Sequence, residues 1–262
     1  KCIDDMKQFP QKLKMLRFAA IGEPLLHKHI AEMVDYAKRA DVAQSVDIVT
    51  NGSLLTHELS DALTSAGLDR LRISIEGLSG EDYAKNARAD LDFERFVEQI
   101  RYCYTNCGNT HIYIKIIDYM VQKSEQKARF LDTFGPICHS IAIEHLTPTI
   151  SEIDYDQLSG GMKTDQPQNG GVLLEGEVCP QGFYMMQINP DGTGRRDPGK
   201  RARGLAGDGL QPVPPQDADG PQSGQPGLPG VQSVPVRPAS GGRAGRRTGR
   251  IKGKILIIWE EK

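Results

Sequence analysis

Long hydrophobic runs are missing from this sequence of 262 residues. No stretch approaches the roughly 18 consecutive apolar residues that a membrane-spanning helix needs, so the sequence predicts no membrane association. The N-terminal segment KCIDDMKQF also lacks the basic-then-apolar pattern of a signal peptide. It begins in what looks like the middle of a helix, without a starting Met, and we expect the protein to extend further upstream.

Cysteine is scarce as well. The five cysteines, Cys2, Cys103, Cys107, Cys138 and Cys179, are odd in number and widely scattered. This usage argues against a disulfide framework and for a reducing compartment, so we expect a cytoplasmic protein. Cys103 and Cys107 lie one turn apart beside the apolar stripe of a predicted helix, which favours core packing over metal binding. Cys138 stands alone and is interpreted as structural.

Aromatic residues are absent from a long segment near the C-terminus. Residues 194–250 contain no Cys, Phe, Tyr, Trp, Met or Ile, but they are rich in Gly and Pro and carry a basic excess, although the whole chain has a formal charge of −2. Such a segment cannot bury enough apolar surface to offset its ordering entropy, so residues 194–262 are predicted to be a disordered tail or an out-of-frame translation. A basic segment can bind nucleic acid, but this one has no aromatic residues to stack on bases, which argues against that function. The final IKGKILIIWEEK is compatible with a strand, for which the sequence indicates no partner.

Strand-like and helix-like segments alternate between residues 16 and 143. Apolar residues at helical spacing mark four amphipathic segments, and Gly67 and Gly108 stand where the second and third of them should end. Regular alternation of this kind predicts parallel strands joined by crossover helices. The predicted strands are Leu16–Ala20, Val46–Thr50, Leu71–Ile75, His111–Ile117 and Ser140–Ile143.

Two of these strands have one polar side. Arg72 and Ser74 alternate with isoleucine and leucine in the third strand, and Tyr113 and Lys115 do so in the fourth. A strand in a doubly wound sheet is usually apolar on both faces. The pattern therefore favours an α/β fold with a partial (β/α)6 TIM-like barrel, lined by a ligand site, over residues 1–150. Residues 151–177 are predicted to be a linker.

The first predicted strand runs straight into Gly22-Glu23-Pro24. Gly22 has no side chain, so a ligand can approach its backbone closely. Pro24 fixes its own φ and disfavours the helical region for Glu23, so the carboxylate is presented before the next helix starts. This arrangement suits a ligand with a positive charge, such as an amino group. A strand-to-helix turn with a solvated Glu is the simpler interpretation.

Three segments, AIGEPLL, VDIVTNGSLLT and LDRLRISIEG, each end a βα unit and together resemble the radical S-adenosylmethionine (radical SAM) superfamily. The downstream EVCPQGFYMMQINPDGT resembles the start of a SPASM-type extension, which holds auxiliary [4Fe–4S] clusters, and predicts that module over residues 178–193. The resemblance implies that a reduced [4Fe–4S] cluster gives one electron to S-adenosylmethionine. This yields methionine and a 5′-deoxyadenosyl radical, which abstracts a hydrogen atom from a substrate. It further implies a peptide or protein substrate and a reductant such as flavodoxin or ferredoxin.

The same resemblance implies cofactor-binding roles for particular residues. The Gly22-Glu23-Pro24 motif matches the segment that holds the amino group of S-adenosylmethionine. Ser74 and Glu76 match the segment near the ribose and the methionyl carboxylate, and Asn51 matches a neighbouring turn. Each has a simpler interpretation, a polar turn for Asn51 and Glu76 and a tightly packed barrel position for Ser74.

The largest departure from the family is an absence. Its Cys-x3-Cys-x2-Cys loop, which binds the main cluster, has no counterpart in this chain, and Cys2 lies in what resembles the first helix, downstream of that loop. Because thiolates are the ligands that such clusters require, the chain as given is expected to be an inactive fragment. Cys179 matches the first auxiliary-cluster ligand, but its expected partners fall where the tail replaces them.

Two other functions stay open. One is a catalytically inactive module that keeps S-adenosylmethionine or partner binding. The other is a metal-independent βα-barrel aldolase or isomerase, for which Lys115 is the only candidate base on a strand. That enzyme class predicts a reactive Lys or a phosphate-binding Gly-rich loop late in the barrel, and no such loop follows residue 143. His27 and His29, near a helix start, have no third ligand nearby and are interpreted as surface histidines.

Overall fold

A computed structural model describes residues 1–19, 22–147, 154–162, 167–169 and 185–188, together with the backbone of 194–195 and 255–258. Its centre is a parallel sheet that confirms the predicted α/β class and each of the predicted parallel strands, with ends shifted by two residues or fewer. The strands are β1 (Met15–Phe18), β2 (Val46–Thr50), β3 (Arg70–Ile75), β4 (His111–Ile117) and β5 (Ser140–Glu144).

The parallel strands lie side by side in chain order, from β1 at one side to β5 at the other. Each crossover therefore moves in the same direction, and right-handed crossovers of this kind place the helices on one face of the sheet. A doubly wound sheet would instead reverse its strand order at one point. The order in the described part is that of a partial barrel.

Helices follow the strands in a regular succession. The first of them precedes β1, and the last described one follows β5. They are α1 (Cys2–Met6), α2 (Ile30–Ala40), α3 (His57–Ser65), α4 (Gly80–Asn86), α5 (Phe93–Thr105), α6 (Ser124–Phe134) and α7 (Tyr155–Ser159). In the described ranges, no helix is both long and apolar enough to cross a membrane.

The predicted helix ends are correct at one glycine and wrong at the other. Gly67 follows the end of α3 with a φ of +78°, which is the left-handed conformation expected of a glycine that stops a helix. Helix α5 stops earlier than Gly108, with Asn106 as its cap. The side-chain amide of Asn106 donates to the carbonyl of Tyr102 at 2.9 Å, so the last turn is capped before the glycine is reached.

The core lies between the sheet and the helices. One side of each of β1, β3 and β4 is buried, and the alternate residues are more exposed. Fully buried residues on the strands include Leu16, Ile48, Ile73 and Ile112, and they share one cluster with helix residues. Cys103, Cys107 and Cys138 are buried in this cluster, which confirms their interpretation as packing residues. Burial raises the pKa of the Cys103 thiol to about 12.

Three further strands extend the sheet beyond β1. They are β6 (Met185–Ile188), β7 (Gly194–Arg195) and β8 (Ile255–Ile258). The strand β8 pairs antiparallel with both β1 and β6, so the C-terminal segment has a partner that its sequence did not indicate. The pairing supplies hydrogen-bond partners to the backbone groups along this side of β1. Cys179 lies outside the described residues, and the predicted bounds of the linker, the module and the tail stay predictions.

Candidate functional site

The carboxyl ends of the five parallel strands meet at one edge of the sheet, where barrel enzymes place their chemistry. Polar residues follow these ends in turn. They are Glu23 after β1, Asn51 after β2, Glu76 after β3, Asp118 after β4 and His145 after β5.

Glu23 is the most firmly held of these residues. Its Oε1 accepts a hydrogen bond from the hydroxyl of Thr50 at 2.6 Å and another from the backbone N–H of Leu25 at 2.9 Å. Its Oε2 accepts one from the backbone N–H of Asn51 at 2.7 Å. Two of these donors belong to the end of β2 and the turn after it, so the carboxylate fastens the loop after β1 to the neighbouring strand.

Among the described residues, no cationic side chain contacts the carboxylate of Glu23. The residue is 8% exposed, and its three donors in the described part of the chain are neutral groups. Buried charges in proteins are normally paired. Because Oε2 accepts one hydrogen bond from the described residues, it keeps capacity for another donor. The arrangement can therefore hold an ammonium group at this edge.

The neighbours of Glu23 have the conformations that the sequence predicts. Gly22 has a φ of +120°, which non-glycine residues rarely adopt, and it is exposed. Pro24 starts a short 3-10 helix, Pro24–Leu26, and Glu23 precedes it with an extended backbone, φ −112° and ψ 114°. The carboxylate is thus presented before the helical turn.

Asn51 contributes its backbone to the site and its side chain to a turn. Its Oδ1 accepts hydrogen bonds from the backbone N–H of Ser53 at 3.0 Å and from the Ser53 hydroxyl at 2.7 Å. Gly52 follows with a φ of +73°, and its N–H donates to the Thr50 hydroxyl oxygen at 2.9 Å. The turn interpretation therefore accounts for the Asn51 side chain, and its N–H is the group that contacts Glu23.

Glu76 is half-buried and its backbone is fixed. Its N–H donates to the hydroxyl of Tyr83 at 3.2 Å, and its carbonyl accepts from the side-chain amide of Asn86 at 2.8 Å. Among the described residues, its carboxylate makes no hydrogen bond or ion pair. Burial raises the pKa of Glu76, and the positive charge of Lys115 partly opposes this. Ser74 lies in register with Lys115 on the polar face of the sheet.

The sequence did not point to Asp118 and His145. Asp118 is 8% exposed, and its Oδ1 accepts the backbone N–H of Leu146 at 3.1 Å. Its Oδ2 lies 2.7 Å from Nδ1 of His145. The position of both residues directly after a strand was the available signal.

Lys115, the candidate base of an aldolase, is already paired. Its Nζ lies 2.5 Å from Oε2 of Glu144, whose Oε1 accepts the hydroxyl of Tyr113 at 2.7 Å. An ammonium held by a buried carboxylate is not a free amine. The structure therefore does not favour the aldolase interpretation.

The described residues do not fit an iron–sulfur cluster. Within the described ranges, no three His, Cys, Asp or Glu side chains come together as a ligand group. Cys103, Cys107 and Cys138 are buried free thiols, and burial raises the pKa of each. His29 is partly exposed and lies 2.7 Å from Glu32, in agreement with its interpretation as a surface residue.

This chain is similar in sequence to one protein family and to several curated proteins. The sequence model of the family described as "Radical SAM superfamily" matches residues 4–132. A GTP 3′,8-cyclase of Chlorobaculum tepidum is 42% identical over 78 residues, which are 30% of this chain and 23% of that protein. An AdoMet-dependent heme synthase of Methanosarcina barkeri is 33% identical over 96 residues, 35% of this chain and 27% of that protein.

Two more similarities concern a modifying protein and a solved structure. The tungsten-containing aldehyde ferredoxin oxidoreductase cofactor-modifying protein of Pyrococcus furiosus is 40% identical over 78 residues, which are 30% of this chain and 21% of that protein. The chain thus spans about a quarter of the length of the curated relatives it matches. The crystal structure of Streptococcus suis SuiB bound to S-adenosylmethionine covers 59% of this chain and 31% of its own, at 13% identity and a TM-score of 0.39.

Proposed function

We propose that this chain, which belongs to the radical SAM superfamily by the match over residues 4–132, is part of a radical SAM enzyme. In this proposal it binds S-adenosylmethionine at the carboxyl edge of its parallel strands. The observation that carries the proposal is the Glu23 carboxylate. It is buried, fixed by three neutral donors and without a cationic partner in the described structure. The ammonium of S-adenosylmethionine supplies the missing positive charge.

Glu76 is proposed to receive the ribose. Its strand, β3, lies two strands away from β1, which is about 10 Å at the usual spacing. A carboxylate with free acceptor capacity binds the hydroxyls of a ribose, as acidic residues do in dinucleotide sites. Ser74, on the polar face of the same strand, and the exposed backbone of Gly22 complete the proposed surface.

The substrate of the whole protein is a separate proposal. The relatives named above include a GTP 3′,8-cyclase and a heme synthase, and these names support a small molecule over the peptide or protein predicted from the family resemblance. The described residues do not fit a [4Fe–4S] cluster, because no three potential ligand side chains among them come together. The auxiliary cluster and the flavodoxin or ferredoxin reductant stay predictions.

A second candidate function is S-adenosylmethionine binding without catalysis. It is favoured by the absence of the Cys-x3-Cys-x2-Cys spacing from these 262 residues. Iron and sulfide analysis of the intact gene product, after anaerobic reconstitution, separates the two candidates. Stoichiometric [4Fe–4S] supports the enzyme, and its absence supports the binding module.

Calorimetric titration of the full chain with S-adenosylmethionine tests the binding proposal. We expect Glu23→Gln to weaken binding by about tenfold or more, because a charge-assisted hydrogen bond is lost. The matched control is Glu125→Gln, since Glu125 is exposed in the first turn of α6. Circular dichroism checks that each variant is folded. The proposal is wrong if the wild-type chain does not bind, or if both variants bind as tightly as the wild type.

A further inference from the structure

Three arginines surround one buried aspartate on the polar face of the sheet. Asp47 lies on β2 and is 0% exposed. Its Oδ2 lies 3.1 Å from Nε of Arg72, 3.4 Å from a terminal nitrogen of Arg17 and 4.0 Å from one of Arg70. Its Oδ1 accepts the hydroxyl of Ser45 at 2.7 Å. A single carboxylate therefore lies within ion-pair distance of three guanidinium groups. We call Arg17, Arg70 and Arg72, together with Asp47, the arginine cluster.

The register of the strands explains how the cluster assembles. Arg17 on β1, Asp47 on β2 and Arg70 on β3 occupy one level of the sheet as successive partners. Arg72 follows Arg70 by two residues and so points to the same face. The helices pack on the opposite face, against residues such as Leu71 and the neighbouring isoleucines. The cluster thus faces the interior of the partial barrel.

Positive charge in the cluster exceeds what Asp47 neutralises. Burial lowers the pKa of Arg17, and the charge of Arg72 lowers it further. The pKa of the nearby His111 is lowered by burial first, then by His139 and by the two arginines of β3. Within the described part of the chain, three arginine side chains lie next to one carboxylate, that of Asp47. The cluster therefore has a net positive charge on the inner face of the barrel.

Among the described residues, two guanidinium nitrogens of the cluster have no hydrogen-bond partner. The Nε atoms of Arg17 and Arg70 are buried and make no hydrogen bond to any described residue. A buried donor without an acceptor costs free energy. One arginine balances the charge of Asp47, so the other two bring positive charge that this carboxylate does not neutralise. A bound anion would balance this excess charge.

We propose that Arg17, Arg70 and Arg72 form an anion-binding site for a phosphoryl group of a small molecule. The planar fork of a guanidinium matches two phosphoryl oxygens, which is why arginines gather at phosphate sites. Arg72 is also oriented by the ring of Tyr113, 5.6 Å from its guanidinium carbon. That the anion belongs to the substrate of the enzyme rests on the proposed function, whereas binding of the anion itself does not.

Calorimetric titration of the full chain with pyrophosphate at low ionic strength tests the site. We expect binding in the millimolar range or tighter, and a loss of about tenfold or more in Arg72→Gln and in Arg70→Gln. Both variants leave Arg17 to pair with Asp47, so the fold should persist, and circular dichroism verifies it. The matched control is Arg129→Gln, because Arg129 is exposed on α6.

The other outcomes separate the anion site from the proposed function. Absence of pyrophosphate binding, or an equal loss in Arg129→Gln, overturns the site. If citrate binds as tightly as pyrophosphate, the site is not selective for phosphoryl groups. S-adenosylmethionine affinity is measured on the same variants, and a parallel loss there would assign the cluster to the carboxylate of that cofactor. If pyrophosphate binds and S-adenosylmethionine does not, the anion site stands and the proposed function fails.

Discussion

Glu23 and Asn51 are joined across two strands, with the backbone N–H of Asn51 donating to Oε2 of Glu23 at 2.7 Å. The contact makes the loop after β1 and the turn after β2 one unit. Any ligand held by Glu23 is therefore positioned by β2 as well as by β1. The consequence is that residues of β2 with no direct ligand contact should influence binding.

Replacing Thr50 with valine tests this coupling. Thr50→Val removes the hydroxyl that donates to Glu23 Oε1 at 2.6 Å and that accepts the Gly52 N–H at 2.9 Å. We expect a weaker affinity for S-adenosylmethionine, with a smaller loss than in Glu23→Gln because the charge remains. Unfolding in urea should show a loss of about 1–3 kcal/mol, since buried polar groups are left unpaired. Thr133→Val, on α6, is the control, and an equal loss in both variants would contradict the coupling.

A methyl group at position 52 should disturb the same turn. Gly52 has a φ of +73°, and a Cβ placed there would lie 2.9 Å from Cγ2 of Ile73. We expect Gly52→Ala to lower the free energy of unfolding by about 1–3 kcal/mol, because strain and overlap act together. Gly135→Ala is a matched control, since Gly135 has a φ of −54° and open space around its Cβ position. Chemical denaturation of both variants measures the difference, and similar values would show that the turn is not strained.

The buried thiols should be unreactive in the folded chain. Burial raises the pKa of Cys103 to about 12 and that of Cys138 to about 11. Because the reactive species is the thiolate, mass-spectrometric mapping after alkylation at pH 8 should leave both residues unlabelled until urea is added. The thiols of the unfolded chain have a pKa near 9.0, so the free energy of unfolding should fall as the pH rises from about 9 towards 12. Labelling of Cys103 in the native chain would contradict its buried position.

The strands could be predicted well because their signal is local. Ser140–Glu144 and Val46–Thr50 are short apolar runs between helical patterns, and such alternation is visible in the sequence itself. The sequence does not predict helix α4, because the helix has seven residues and one buried side chain, Tyr83, which is too little for an apolar stripe. Its start depends instead on Ser79, whose hydroxyl accepts the N–H of Asp82.

The candidate site could be predicted only at its centre. Gly22-Glu23-Pro24 can be recognised from its residue types at the end of a strand. The roles of Thr50 and Asp118 depend on partners that are each 27 residues away in the chain. Such contacts depend on strand order and register, which a local pattern does not contain. The same holds for Asp47, an aspartate in an otherwise apolar strand whose three arginine neighbours come from β1 and β3.

Removing Asp47 should be among the most damaging single changes in the sheet. Asp47→Ala leaves Arg17, Arg70 and Arg72 without their common carboxylate, and breaking a buried ion pair on one side costs about 3–5 kcal/mol. Urea denaturation measures this loss, and Asp35→Ala provides the contrast, because the exposed pair of Asp35 with Arg39 should contribute nothing measurable. Pyrophosphate should restore part of the stability of Asp47→Ala, since a bound anion replaces the missing negative charge and stabilises the state that binds it. If Asp47→Ala is as stable as the wild type, or if pyrophosphate does not stabilise it, the charge balance assigned to the arginine cluster is wrong.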